Sequence, residues 1–100
     1  MDYVRLTDKG ILCEPGSFYI DPVQPVDTAV VSHGHADHTT TGCGTVHCSE
    51  NTKAIVKARF SIDSVAHRYH DSFMINGVRV TLFPAGHILG SSQVLLEYDD

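Results

Sequence analysis

A dense cluster of metal-ligating side chains constrains this chain more than any other feature. Three histidines and one aspartate lie in the six residues from His33 to His38. They directly follow residues 28–32, a short apolar and β-branched run that is typical of a strand buried on both faces. Ligands usually bind at the carboxyl ends of such strands in open α/β sheets. The sequence therefore predicts a buried strand that carries polar ligands to one edge of a sheet.

The side-chain types in this cluster predict a metal site rather than an exposed loop of inert histidines. Imidazole nitrogen and carboxylate oxygen suit Zn²⁺, Fe²⁺ or Mn²⁺. In an extended loop His33 and His35 point to the same side, and the small residues between the ligands allow a tight bend around one ion. If a helix begins near Asp37, the side chains of Asp37 and His38 diverge by about 100° and can bind a second ion. Two ions roughly 3.5–4 Å apart can hold a hydroxide for a displacement at phosphorus or carbon.

The remaining pattern predicts about seven short strands and one clear helix, an α/β mixture with hairpins. Asn76-Gly77 favours a two-residue hairpin turn, and Ser49 has the character of a helix N-cap. Residues 61–69 are ambiguous. The predicted helix covers residues 50–60, and the predicted strands cover residues 11–13, 18–20, 28–32, 45–48, 73–75, 78–82 and 93–98.

Composition excludes several classes of protein. Hydrophobic residues make up 42% of the 100 residues and charged residues 19%, which excludes disorder driven by charge. Apolar runs of at most three residues exclude a membrane-spanning helix and the core of a signal peptide. Three cysteines, an odd number, predict reduced thiols and a cytoplasmic protein. The net charge of −5 gives no general attraction to nucleic acid.

Two blocks of sequence resemble a known family. The pattern His33-x-His35-x-Asp37-His38 is the signature of the metallo-β-lactamase superfamily. Residues 85–94, with Gly-His-Ile-Leu-Gly-Ser around His87, resemble the next histidine motif in its β-CASP nuclease branch. Residues 13–22 are similar to exonucleases described as mRNA 3′-end-processing-factor-like or DNA-ligase-associated. The resemblance extends over residues 6–97.

The resemblance implies a fold and an activity. The expected fold is the αββα sandwich of the α/β class, with residues 1–100 forming its amino-terminal part. The expected activity is that of a zinc-dependent hydrolase. Within this class, the chain is most similar to nucleases that cleave phosphodiester bonds in DNA or RNA. A nucleic-acid substrate, no membrane association and a possible homodimer of the full-length protein follow from the same resemblance.

The resemblance also implies roles for individual residues. His33, His35 and His87 would bind the first of two zinc ions, with iron or manganese as alternatives. Asp37 and His38 would bind the second ion and are the predicted catalytic residues. Asp21 would orient the metal ligands without binding the metal itself. The alternative for this position is a plain turn residue before a proline.

The family pattern is incomplete in this chain. The bridging aspartate, the last metal-binding histidine and the β-CASP insertion are not found, so we expect the chain alone to be inactive. Two alternatives keep the histidine motif but change the function. One is a hydrolase of thioesters, lactones or other small molecules, and the other is a non-catalytic metal-binding domain.

Weaker signals have ordinary explanations. Cys43 and Cys48, with His47 and the distant Cys13, could form a structural zinc site, but buried free thiols are more common. The segment His-Arg-Tyr-His at residues 67–70 could bind phosphate or metal, and a solvated connection to the hairpin is the simpler interpretation. The basic residues of the predicted helix are assigned no role: Lys53, Lys57 and Arg59.

Overall fold

Turn residues divide the chain into short strands and one helix. The computed structural model describes residues 3–33, 40–85 and 92–98. Two strands were not predicted, the first and the sixth, because the first has only two apolar positions, Val4 and Leu6, and the sixth lies in the segment that was ambiguous. The described elements are β1 (Val4–Thr7), β2 (Gly10–Cys13), β3 (Phe18–Ile20), β4 (Thr28–Val30), β5 (Thr45–Ser49), α1 (Glu50–Phe60), β6 (Val65–His67), β7 (Phe73–Ile75), β8 (Val78–Pro84) and β9 (Ser92–Glu97).

Strands β1 to β6 form one sheet in chain order. The pairs β1–β2 and β2–β3 are antiparallel, whereas β3–β4, β4–β5 and β5–β6 are parallel. Strands β3, β4, β5 and β6 therefore all end at the same edge of the sheet, which we call the carboxyl edge. This is the position at which the sequence predicted the metal ligands.

Strands β7, β8 and β9 form a second, antiparallel sheet. The predicted Asn76-Gly77 turn is confirmed, because both residues have positive φ, 48° and 87°, as a two-residue hairpin of this kind requires. The Asn76 side chain donates a hydrogen bond to the Gly16 carbonyl oxygen at 2.6 Å. This bond ties the tip of the hairpin to the β2–β3 turn of the first sheet.

The two sheets pack face to face over one apolar core. Cys13, Phe18 and Val30 of the first sheet contact a buried set from the second: Ile75, Val78, Val80 and Leu82. In the β2–β3 turn the positive φ of 53° falls on Ser17 and not on Gly16, although glycine tolerates such a φ best. Gly16 is small for another reason, because a Cβ there would overlap the Phe18 ring.

Helix α1 covers the opposite face of the six-stranded sheet. It begins and ends where the sequence predicted, because both ends carry local signals. The Ser49 side chain accepts a hydrogen bond from the Thr52 N–H at 3.2 Å, and Ser61 adopts a left-handed conformation after the last turn. Val56 is the buried apolar residue of the helix, and the sheet beneath it contributes Val31, Val46 and Cys48.

The predicted α/β class and αββα sandwich are wrong for the described part of the chain. It forms a mostly-β structure with nine strands and a single helix of 11 residues. An αββα arrangement needs helices on the outer faces of both sheets. In residues 3–33, 40–85 and 92–98 only the six-stranded sheet carries one, and Met74 and Leu95 stay exposed on the other. The helix is too short and too polar to span a membrane.

Candidate metal centre

Three hydrogen-bonded residues lie at the carboxyl edge, where β3 and β4 end. The Asp21 carboxylate accepts hydrogen bonds from the Ser32 N–H at 2.7 Å and from the Ser32 hydroxyl at 2.5 Å. The same hydroxyl oxygen lies 2.8 Å from Nδ1 of His33. The contacts thus run from Asp21 through Ser32 to His33, the first residue of the histidine cluster.

This arrangement fixes the tautomer of His33. A serine hydroxyl has one proton, and in Ser32 that proton is directed to Asp21. The oxygen can then only accept from His33, so Nδ1 carries the ring proton and Nε2 carries the lone pair. A neutral imidazole with its other nitrogen held by hydrogen bonding is the form that binds a metal ion.

The backbone at Asp21 explains why its carboxylate reaches Ser32. Asp21 adopts a positive φ of 48°, which aspartate tolerates better than most residues. Its N–H donates to the Val30 carbonyl oxygen at 2.9 Å, so the end of β3 stays bonded to β4. The side chain is consequently turned back across the carboxyl edge.

A second contact brings the end of the β8–β9 connection next to Ser32. The Ser92 N–H donates to the Ser32 carbonyl oxygen at 2.7 Å, and Ser92 pairs with Pro84 across the β8–β9 hairpin. The connection that contains His87 therefore begins and ends beside the residue that precedes His33. After the histidine cluster in the chain, the Thr40 hydroxyl donates to the Pro22 carbonyl oxygen at 2.5 Å.

The predicted site residues fall into two groups. Asp21 and His33 are described and lie at the carboxyl edge. His35, Asp37, His38 and His87 lie outside the described residues, so their positions stay predictions. Within the described ranges, no three His, Cys, Asp or Glu side chains converge as a metal site. Sequence reasoning missed Ser32, although a hydroxyl residue next to the first ligand of a motif is a usable signal.

The weaker cysteine site does not form. Cys13 lies in the core between the two sheets, whereas Cys48 packs beneath α1 on the opposite face of the six-stranded sheet. Cys48 donates instead to the Ser64 hydroxyl at 3.4 Å, and Cys43 to the Thr40 carbonyl oxygen at 3.9 Å. Burial raises the pKa of the Cys13 and Cys48 thiols. Cys13 and Cys48 are buried free thiols, and Cys43 is a half-buried one.

A pair of histidines forms a separate cluster on the inner face of β5 and β6. Nδ1 of His47 lies 2.9 Å from Nε2 of His67, and Phe73 of the second sheet stacks on His67 with ring centroids 3.4 Å apart. Burial, followed by the neighbouring His47, lowers the pKa of His67 to about 4, and burial also lowers the pKa of His47. Sequence reasoning did not pair these residues, because they are 20 positions apart.

Comparison with known proteins gives one informative match. No protein-family model matches the chain. A probable DNA ligase from Opitutus terrae is 36% identical over 86 residues, which cover 83% of this chain. The matched region is only 8% of the length of that relative. The chain is therefore similar to a small part of a much larger protein.

Proposed function

We propose that this chain carries part of the metal centre of a zinc-dependent hydrolase related to the metallo-β-lactamase superfamily. One observation carries the proposal: the hydrogen bond from the Ser92 N–H to the Ser32 carbonyl oxygen, at 2.7 Å. It places Ser92, which follows the connection containing His87, next to Ser32, which precedes His33. The two segments together would supply three imidazole nitrogens to a single ion, from His33, His35 and His87.

The described residues fit a zinc ion chemically. Asp21 and Ser32 keep the proton of His33 on Nδ1, which presents Nε2 as the ligand atom. Three protein ligands leave one of four zinc positions open, which is typical of a catalytic rather than a structural site. Zinc bound there would lower the pKa of a bound water to about 7 and polarise an oxygen of the substrate.

For the substrate, we propose a nucleic acid, cleaved at its phosphodiester bonds by the complete protein. The relative that the chain matches is named as a probable DNA ligase, and a nuclease acting on the same class of polymer is the reaction that best fits both the name and the His87 motif. A hydrolase of small esters has no comparable support. The missing bridging aspartate leads us to expect no turnover by these 100 residues alone.

Metal content tests the site assignment. We expect about one zinc, iron or manganese ion per chain in protein purified without chelators or a histidine tag. His35→Ala should lower this content to background, because two imidazoles hold a metal ion much less tightly than three. His70→Asn is the matched control, since it removes an exposed histidine outside the proposed ligand set. Equal metal content in His35→Ala and wild type would refute the assignment.

A further inference from the structure

The segment from residue 67 to residue 71 has no role in the metal centre described so far. Strand β6 is parallel to β4 and β5 and ends at His67, so the residues after it leave the six-stranded sheet at the carboxyl edge. A hydrogen bond from the Asp71 N–H to the Arg68 carbonyl oxygen, at 3.2 Å, closes a turn. We call residues 68–71 the Arg68 turn.

The Arg68 turn is fixed next to the hairpin that carries the second histidine segment. The His70 N–H donates to the Leu82 carbonyl oxygen at 2.9 Å, and the His70 ring meets Phe83 edge-on with centroids 5.2 Å apart. Leu82 lies two residues before Pro84, whose partner across the hairpin is Ser92. The turn is thus bonded to β8 two residues before Pro84, and the Ser92 partner of Pro84 is bonded to Ser32, the residue before His33.

The side chains of this turn suit an anionic ligand. Arg68 and His70 are both exposed, and an arginine with a histidine offers several N–H donors for phosphate oxygens. His70 is held at a φ of 71°, an uncommon conformation for a residue other than glycine. The hydrogen bond from the His70 N–H to Leu82 holds the turn in this conformation.

Three of the six other cations of the described chain are already engaged. Arg5 pairs with Glu14 at 3.2 Å, and Lys57 pairs with Asp63 at 2.8 Å. Lys53 donates to a backbone carbonyl oxygen. Within the described ranges Arg68 has no ion pair, so its charge is available at the carboxyl edge of a protein whose net charge is −5.

We propose that the Arg68 turn binds backbone phosphates of a single-stranded nucleic acid and holds the strand beside the metal centre. The inference rests on the proposed function, because the turn would bind the nucleic-acid substrate of that hydrolase next to its metal centre. Arg68 would contact a phosphate through its guanidinium group, and His70 would donate a ring N–H to the same or the next phosphate. Contacts of this kind position a strand without reading its sequence.

Binding of a labelled oligonucleotide tests the proposal without requiring turnover. The probe is a fluorescein-labelled single-stranded DNA of twelve nucleotides, measured by anisotropy with the full 100-residue chain at about 50 mM salt. We expect Arg68→Ala to weaken binding about five- to tenfold, and His70→Asn to weaken it about two- to fivefold. Asparagine tolerates the left-handed conformation of His70, so the turn should be preserved. Asp71→Asn should strengthen binding, because it removes a negative charge from the turn.

Arg79→Ala is the matched control for charge. Arg79 is also exposed, but it lies at the other end of β8, next to the Asn76-Gly77 turn. Affinity unchanged in Arg68→Ala, an equal loss in Arg79→Ala, or undetectable binding by the wild type would overturn the proposal. Metal content of the same samples separates the two claims, because it reports on the metal centre whatever the oligonucleotide does.

Discussion

At the residue scale, the candidate site depends on one hydroxyl group. Ser32 donates its only hydroxyl hydrogen bond to Asp21, and its oxygen therefore accepts a hydrogen bond from Nδ1–H of His33. This chain of contacts accounts for the acid at position 21, which the family resemblance assigned to orienting the ligands.

Replacing Ser32 tests this orientation. We expect Ser32→Ala to weaken zinc binding about 10- to 100-fold, because removing a group that orients a metal ligand has effects of that size. Ser32→Thr keeps the hydroxyl and should restore most of the affinity. The measurement is competitive zinc titration against a chromophoric chelator. An Ala variant with wild-type affinity would show that the hydroxyl does not position His33.

At the scale of elements, local signals predicted the helix and most of the strands, but not the long-range pairings between them. Helix α1 begins and ends as expected, because the signals for its ends are local. Ser49 caps the first turn, and Ser61 follows the last turn. Strand β6 was ambiguous because Val65, Ala66 and His67 gain strand geometry only by pairing with β5. The hydrogen bond between His47 and His67 depends on the same pairing and has no local signal.

The His47–His67 pair predicts a pH dependence of stability. His67 has an ordinary pKa of 6.5 in the unfolded chain and about 4 in the fold, so the unfolded chain takes up the proton first as pH falls. The free energy of unfolding should therefore decrease as pH falls from about 6.5 to 4, by less than about 1.4 kcal/mol per pH unit because the ring is only half-buried. Well above pH 6.5 both histidines are neutral in both states and contribute no slope.

Urea unfolding at a series of pH values measures this effect. His67→Asn should give a flatter dependence between pH 6.5 and 4 than the wild type. His70→Asn, which removes an exposed histidine three positions away, should keep the wild-type slope. If His67→Asn and wild type lose stability in parallel, the pair is not the source of the pH dependence.

At the scale of the whole molecule, the strand pattern was predicted but the class was not. The family resemblance implied helices on both outer faces, whereas in the described ranges one helix covers one sheet and the rest is mainly strand. The histidine motif was visible because its ligands are neighbours in the chain. The hydrogen bond between Ser92 and Ser32 depends on the packing of the two sheets. No local sequence pattern predicts that packing.

X-ray absorption at the zinc edge reports directly on the ligands of the proposed metal centre. In the zinc-loaded 100-residue chain, the account predicts three imidazole nitrogens at about 2.0–2.1 Å from the metal and no sulfur ligand. His87→Ala should reduce the imidazole count or abolish binding, because that ligand comes from the second segment. A sulfur shell at about 2.3 Å, or a spectrum of hydrated zinc in the wild type, would contradict the account.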